Sequence, residues 1–125
     1  MKSEEIIAIG DRFFNAIEDG RIEDLREIYA AEARIWHNID LTNKTVDESL
    51  PRTARFVTRT TNLRYEKRRY EVFPDGFALQ CVISGTRPSG ERLTLPSAIF
   101  CRVHNGRITR LEEYFDSAAL RPWLE

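Results

Sequence analysis

The chain has 125 residues, of which 42% are hydrophobic and 31% are charged, as is typical of a single soluble globular domain. Its 19 basic and 20 acidic residues leave a net charge of −1. That balance excludes bulk electrostatic binding to nucleic acid or to an acidic membrane surface. We therefore expect one domain over residues 1–125 whose partner is not a polyanion.

Targeting signals and metal-binding motifs are not evident in the sequence. No apolar run approaches the roughly 20 residues of a membrane span, and the acidic start at Met1–Glu5 precedes no apolar signal segment. We expect a cytoplasmic protein. Cys81 and Cys101 fall within predicted strands, which favours buried free thiols. No Cys/His cluster has zinc spacing, so we expect no metal and no cofactor.

The first half of the chain is predicted to be mainly helical. Apolar residues recur at helical spacing up to Ile17, and Asp19-Gly20 ends this first helix. A shorter helix follows over Ile22–Tyr29. Thr45-Val46-Asp47-Glu48 is a capping box, so a third helix should begin near Val46. Pro51 should kink that helix or shift its start, because proline lacks a backbone donor.

A histidine interrupts the apolar face of the first predicted strand, Ala33–Asp40. Strict alternation places Ala33, Ile35 and His37 on one face. The only other histidine, His104, lies beside the turn signal Asn105-Gly106. His37 is therefore the better candidate for proton transfer near neutral pH. A hydrogen-bonded core histidine is the alternative.

The second half is predicted to be a β-meander. The signals Asp75-Gly76, Ser89-Gly90 and Asn105-Gly106 each resemble a two-residue hairpin turn. They divide the chain into strands near 63–73, 77–87, 91–103 and 107–115, which tight turns make antiparallel. Helices followed by such a meander indicate an α+β fold. Long strands coil, so the sheet should curve and leave a cone-shaped cavity.

Two carboxylates near the end of the last strand are candidate partners for the histidine. Glu113 is in phase with Leu111 and Phe115, which predicts that it faces a pocket, unless a bulge shifts the phase. Asp116 precedes Ser117 and either caps the last helix or acts in the site.

Several strings along the chain resemble the nuclear transport factor 2-like superfamily, and most closely its SnoaL-like proteins. They are Phe13–Gly20, the following Leu25 with Tyr29-Ala30, then Ala33–Asn38, Ser84-Gly85-Thr86 and Gly106–Asp116. The resemblance covers nearly the whole chain. It implies a cone-shaped α+β barrel, with three N-terminal helices packed on a strongly curved, mainly antiparallel sheet. It also implies a homodimer formed through the sheet. The superfamily includes enzymes and non-enzymes, so the resemblance specifies the fold better than the function.

The resemblance transfers only part of two known active sites. Counting along the chain, His37 matches the general-base aspartate of ketosteroid isomerase. The two oxyanion donors of that enzyme correspond to Phe13 and about Ile99, which cannot donate, so we reject steroid isomerisation of that type. Glu113 matches an aspartate of limonene epoxide hydrolase. The Arg and Asp that complete that enzyme's set correspond to about Val82 and Ser84, so its triad is also incomplete.

Three functions remain open from the sequence. The first is a cofactor-free SnoaL-like enzyme that acts on a compact, largely apolar molecule through acid–base chemistry, either isomerisation, cyclisation, dehydration or hydration. The second is a non-catalytic binder that uses the same pocket, and the third is a protein-interaction module. The candidate catalytic residues are His37, Glu113 and Asp116. The candidate ligand-binding residues are Phe13, Tyr29, Ile35, Asn38, Ser97, Ile99, Tyr114 and Phe115.

Overall fold

The computed structural model describes residues 1–124, with side chains described for residues 1–123. The helices are α1 (Ser3–Glu18), α2 (Leu25–Ile28), α3 (Val46–Thr58) and α4 (Ser117–Leu124), and a 3₁₀ turn over Ile22–Asp24 precedes α2. The strands are β1 (Tyr29–His37), β2 (Asn43–Lys44), β3 (Thr61–Phe73), β4 (Gly76–Thr86), β5 (Arg92–His104) and β6 (Arg107–Phe115). The predicted α+β class is confirmed.

One sheet contains the six strands of the described chain in the order β2-β1-β6-β5-β4-β3. The pairing of β1 with β6 is parallel, and the remaining neighbours are antiparallel. Helix α3 packs against both β1 and β3. In a flat sheet those strands would lie four spacings, or about 19 Å, apart. The sheet must therefore curl around the helices, as the predicted cone requires.

Side-chain alternation builds the core on the concave face. The inward residues of β4 are Phe77, Leu79, Cys81 and Ile83, as the sequence indicated, and all are buried. Helix α1 covers them with its apolar stripe, and Phe13 and Phe14 stack edge to face at 5.0 Å. Cys81 and Cys101 are buried free thiols, which confirms that prediction.

A partly buried ionic network joins α1 to β3. The Arg68 guanidinium donates to Asp11 and Glu18 at 2.9 Å each, and to the Tyr65 carbonyl at 2.9 Å. The Tyr70 hydroxyl donates to Asp11 at 2.8 Å. Because the Arg68 guanidinium bridges both carboxylates and the Tyr70 hydroxyl adds a neutral donor, these contacts fix α1 as one wall of the barrel.

The three predicted turns have different outcomes. Asn105-Gly106 has positive φ at both residues, 52° and 77°, and forms the expected two-residue hairpin. The prediction of a two-residue turn at Asp75-Gly76 is wrong by one residue, because Gly76 already pairs with Phe73 in the ladder. Its glycine is required instead because a Cβ there would overlap the carbonyl oxygen of Cys101. Ser89-Gly90 lies in a longer loop over 87–91.

Other boundaries shifted. The second predicted helix ends at Ile28, because Tyr29 already pairs with Ile108 as the first residue of β1. Helix α3 starts at Val46 behind the capping box of Thr45, as predicted, and continues through Pro51. The carbonyl that Pro51 leaves without a partner belongs to the exposed first turn, where water can reach it. Within residues 1–124, no helix has the length and apolar character needed to cross a bilayer.

Candidate active site

The parallel ladder between β1 and β6 places His37 directly opposite Glu113. Paired residues point to the same face, so both side chains enter the barrel. His37 Nε2 lies 3.1 Å from Glu113 Oε1, and the two side chains are 28% and 11% exposed. The histidine and the in-phase carboxylate of the sequence prediction thus meet at one end of the concave face.

The Glu113 carboxylate is held from its other side by Ser97. The Ser97 hydroxyl donates to Glu113 Oε2 at 2.9 Å, and the serine is buried. Each carboxylate oxygen therefore has its own neighbour, which restricts rotation of the group. Ser97 was predicted to contact ligand, but it does not line the cavity. Its place is behind Glu113.

Asn38 extends the β1–β6 ladder beyond the last strand residue. Its side-chain amide donates to the Phe115 carbonyl at 2.8 Å, and its side-chain oxygen accepts from the Phe115 amide at 3.2 Å. Its own backbone amide donates to the Glu113 carbonyl at 3.0 Å. Asn38 was also predicted to contact ligand, yet its polar atoms are bonded to β6 and it does not line the cavity. It fixes the register next to His37.

A cavity of about 140 Å³ adjoins the His37–Glu113 pair. An apolar cavity of roughly this size accommodates a benzene-sized molecule. Its lining includes both members of the pair and five residues predicted from the sequence: Phe13, Tyr29, Ile35, Ile99 and Phe115. The wall that faces the pair is therefore mainly aliphatic and aromatic.

Two tyrosines supply neutral hydroxyls to this cavity. Tyr29 and Tyr65 both line it, and neither hydroxyl has a hydrogen-bond partner within the described residues. Burial is the main cause that raises the pKa of both phenols well above the ordinary value, and the charge of Glu113 adds to it. Both hydroxyls therefore remain protonated donors. Tyr65 was not predicted as a site residue, because the alternation of side chains along β3 does not indicate that its hydroxyl has a role in the cavity.

A polar group at the mouth of the cavity was also missed. It comprises Asp40, Lys44, Ser49, Arg52 and Thr53. The last three lie on one face of α3 with Phe56, at positions i, i+3, i+4 and i+7. The capping box fixes the start of α3, so this spacing was the signal that could have found them. Lys44 had no such signal, because the two-residue strand β2 is too short to show a periodic pattern.

Lys44 and Asp40 form a half-buried ion pair within this mouth. The Lys44 side chain is 7% exposed, and its ammonium donates to Asp40 and, at 2.9 Å, to Thr42 Oγ1. Burial alone would raise the pKa of Asp40, but hydrogen bonds from Lys44 and Thr42 outweigh it and hold that pKa below its ordinary value. Asp40 is thus a carboxylate at neutral pH. Among residues 1–124, no three His, Cys, Asp or Glu side chains converge as a metal site.

The domain profile of the SnoaL-like family matches residues 11–111. The chain belongs to the SnoaL-like family. No curated protein matched the chain in a corresponding comparison.

Solved structures share this SnoaL-like fold at low sequence identity. IdmH from Streptomyces antibioticus, a proposed polyketide cyclase, has a TM-score of 0.81 and 20% identity, over 94% of this chain and 96% of that chain. An NTF2-like protein from Burkholderia xenovorans has a TM-score of 0.78 and 16% identity, over 100% of this chain and 99% of that chain. A third structure is a protein from Catenulispora acidiphila with a ketosteroid isomerase-like fold, in complex with trimethylamine. It has a TM-score of 0.76 and 17% identity, over 85% of this chain and 83% of that chain. At such identities these likenesses establish the fold alone.

Two predicted site residues of this SnoaL-like chain lie elsewhere. Tyr114 is 45% exposed and packs against Trp36 and Phe100 on the convex face, opposite to Glu113 by strand alternation. Asp116 is exposed, and its side chain accepts from the Ala118 amide at 3.0 Å, as a helix cap does. Neither lines the cavity. The cap alternative for Asp116 accounts for its geometry.

The Asp40–Lys44 pair predicts a pH-dependent stability difference. A carboxyl with a lowered pKa stabilises the fold above its unfolded-state pKa, about 3.9, and that contribution is lost as the pH falls through the lowered folded-state value. We expect Asp40→Asn to lower the free energy of unfolding at pH 7 by about 1–3 kcal/mol. The deficit should shrink towards pH 3, because the wild-type carboxyl then becomes protonated too.

Urea unfolding of both proteins at pH 7, 5 and 3 measures this difference. Asp19→Asn is the control, because Asp19 is exposed and its one ion pair within the described residues is with the exposed Arg21. A deficit of equal size at all three pH values would show that the Asp40 charge is not the cause.

Proposed function

We propose that this SnoaL-like protein is a cofactor-independent enzyme that moves a proton on a compact, largely apolar molecule. The observation that carries the proposal is the 3.1 Å approach of His37 Nε2 to Glu113 Oε1 beside an apolar cavity. A histidine oriented by a carboxylate is an arrangement suited to general acid–base catalysis. His37 is the acid–base group, and Glu113 is its positioning and charge-balancing partner.

The reaction that best fits these groups begins with proton abstraction beside a carbonyl. The imidazole takes a proton from the carbon beside the carbonyl. The electron pair of that C–H bond forms a C=C bond, and the π pair of the C=O bond moves to the carbonyl oxygen. Glu113 stabilises the imidazolium that forms. His37 then returns the proton to the same or another carbon, so the step needs no other reactant.

Stabilisation of the intermediate oxygen anion is the second requirement of this chemistry. Phe13 and Ile99 replace the donors used by ketosteroid isomerase, and the sequence offered no substitute. Tyr29 and Tyr65 supply two neutral hydroxyls to the same cavity, and such donors are strong where water is excluded. Their presence supports enolate chemistry by a different donor set.

The cavity supports a compact ligand. Its volume of about 140 Å³ corresponds to a single six-membered ring. The Catenulispora protein of similar fold is in complex with trimethylamine, which is also a compact molecule. Substrates with several fused rings would not fit without rearrangement of the wall.

A cavity sealed by Phe13, Tyr29, Leu50 and Phe115 would favour the alternative of a non-catalytic binder. Leu50 does not line the cavity, which instead extends to Arg52, and that side chain is 65% exposed. A ligand therefore has a path from solvent to His37. This access favours the enzyme over the binder.

Deuterium exchange tests the proposal without knowledge of the natural substrate. The protein is incubated in D₂O with cyclohexanone, cyclopentanone and phenylacetone, and deuterium beside each carbonyl is followed by NMR. We expect faster exchange of at least one ketone with the wild type. His37→Asn should lower the catalysed rate by about 10²-fold or more, because a positioned base typically contributes 10² to 10⁴.

The matched control is His104→Asn, which removes the other histidine at an exposed position next to the Asn105-Gly106 turn. It should leave the rate unchanged. Wild-type exchange no faster than the buffer rate for all three ketones, or full activity of His37→Asn, would refute the proposal.

We also propose a homodimer formed through the convex face of the sheet. An aromatic cluster lies there, formed by Trp36, Phe100 and Tyr114. The ring centroid of Tyr114 lies 5.1 Å from that of Trp36 and 6.0 Å from that of Phe100. Phe100 and Tyr114 are both more than 40% exposed, and exposed aromatic clusters of this kind are typical of interfaces. A second copy would cover the same cluster on each subunit.

Light scattering at micromolar concentration measures this assembly. We expect a mass of twice 14.6 kDa for the wild type. Tyr114→Glu should shift the mass to that of a monomer, because a charge would be buried at the interface. A wild-type monomer would contradict the dimer.

A further inference from the structure

The mouth of the cavity carries cationic groups that the proton transfer does not use. Strand β2 pairs with β1 so that Lys44 lies opposite Ile35. Because paired residues share a face, Lys44 points to the same side of the sheet as Ile35 and His37. The ammonium is thereby placed on the wall of the cavity, although β2 contains only two residues.

Helix α3 brings a second set of polar groups to the same place. Ser49 is buried, and its hydroxyl has no hydrogen-bond partner within the described residues. Thr53, one turn later, donates to the Ser49 carbonyl at 3.3 Å. Arg52 lies on the same helix face and reaches Asp40 Oδ2 at 3.5 Å. Asp40 therefore joins Lys44 and Arg52 into one cluster.

The charges of this cluster do not cancel. Lys44 and Arg52 are two cations that share one carboxylate, Asp40, whose lowered pKa keeps it ionised. The Lys44 ammonium has three N–H donors. Two of them donate to Asp40 and Thr42, and the third is available to a ligand. The Arg52 contact at 3.5 Å is long for a hydrogen bond, so its guanidinium donors are also available. The other carboxylate of the cavity, Glu113, is occupied by His37 and Ser97.

We propose that the ligand of this cavity is a small carboxylic acid, with its carboxylate held at the mouth by Lys44, Arg52 and the Ser49 hydroxyl. Arginine presents a planar pair of N–H groups that matches a carboxylate. The apolar body of the ligand extends into the ring-sized space towards His37. This inference rests on the proposed function, because it names the substrate class of the same site.

The binding of matched acid–amide pairs tests the inference at equilibrium, with no turnover needed. The pairs are benzoate with benzamide, phenylacetate with phenylacetamide, and cyclohexanecarboxylate with its amide, each measured by isothermal titration calorimetry at pH 7. Each pair conserves shape and removes only the charge. We expect at least one acid to bind about tenfold or more tightly than its amide.

Substitutions assign that preference to the cluster. Arg52→Gln should reduce the acid-to-amide affinity ratio by about fivefold or more, and leave the affinity for the amide unchanged. Arg55→Gln is the matched control, because Arg55 is exposed on the same helix and does not line the cavity. Lys44→Met is a second variant for which the acid-to-amide affinity ratio is measured. Its thermal transition checks that it is folded.

The results separate this inference from the proposed function. Acid preference that persists in His37→Asn supports the carboxylate site whether or not His37 catalyses exchange. Equal binding of acid and amide in every pair, binding by no acid, or an unchanged ratio in Arg52→Gln would overturn the inference. None of those binding results would contradict ketone exchange by the wild type, which tests the proposed function separately.

Discussion

The parallel pairing of β1 with β6 is the constraint on which the site depends. It sets His37 opposite Glu113, although the two residues are separated by most of the chain. Asn38 closes the ladder directly after His37 by bonding both backbone groups of Phe115. A slip of one residue would turn either side chain to the other face, since strand side chains alternate. The acid–base pair is thus a consequence of register.

The cavity combines this pair with two further chemical environments. Aliphatic and aromatic side chains form most of its wall, and low polarity strengthens every electrostatic contact made inside it. Tyr29 and Tyr65 add neutral donors without adding charge. Lys44 and Arg52 add positive charge only at the mouth, where Arg52 remains in water. A molecule with an apolar body and one acidic end would match all three environments at once.

Local patterns predicted the fold and the His37–Glu113 pair, because two-residue alternation and one capping box report directly on which face a side chain occupies. The same patterns could not distinguish Ser97 from a cavity residue, since its hydroxyl turns back to Glu113. Lys44 was missed because a two-residue strand leaves no periodicity to detect. Asp116 illustrates a further limit, because one residue type serves equally well as a helix cap and as an acid, and only tertiary contacts decide.

A double-mutant cycle on the exchange rates of His37→Asn, Glu113→Gln and the double variant tests most directly whether the pair acts as one unit. Groups that act as a unit show strongly non-additive losses. We predict that the double variant exchanges no more slowly than His37→Asn alone, because Glu113 acts only through the imidazole. If the two losses multiply in the double variant, or if Glu113→Gln keeps the full rate, the central claim is contradicted.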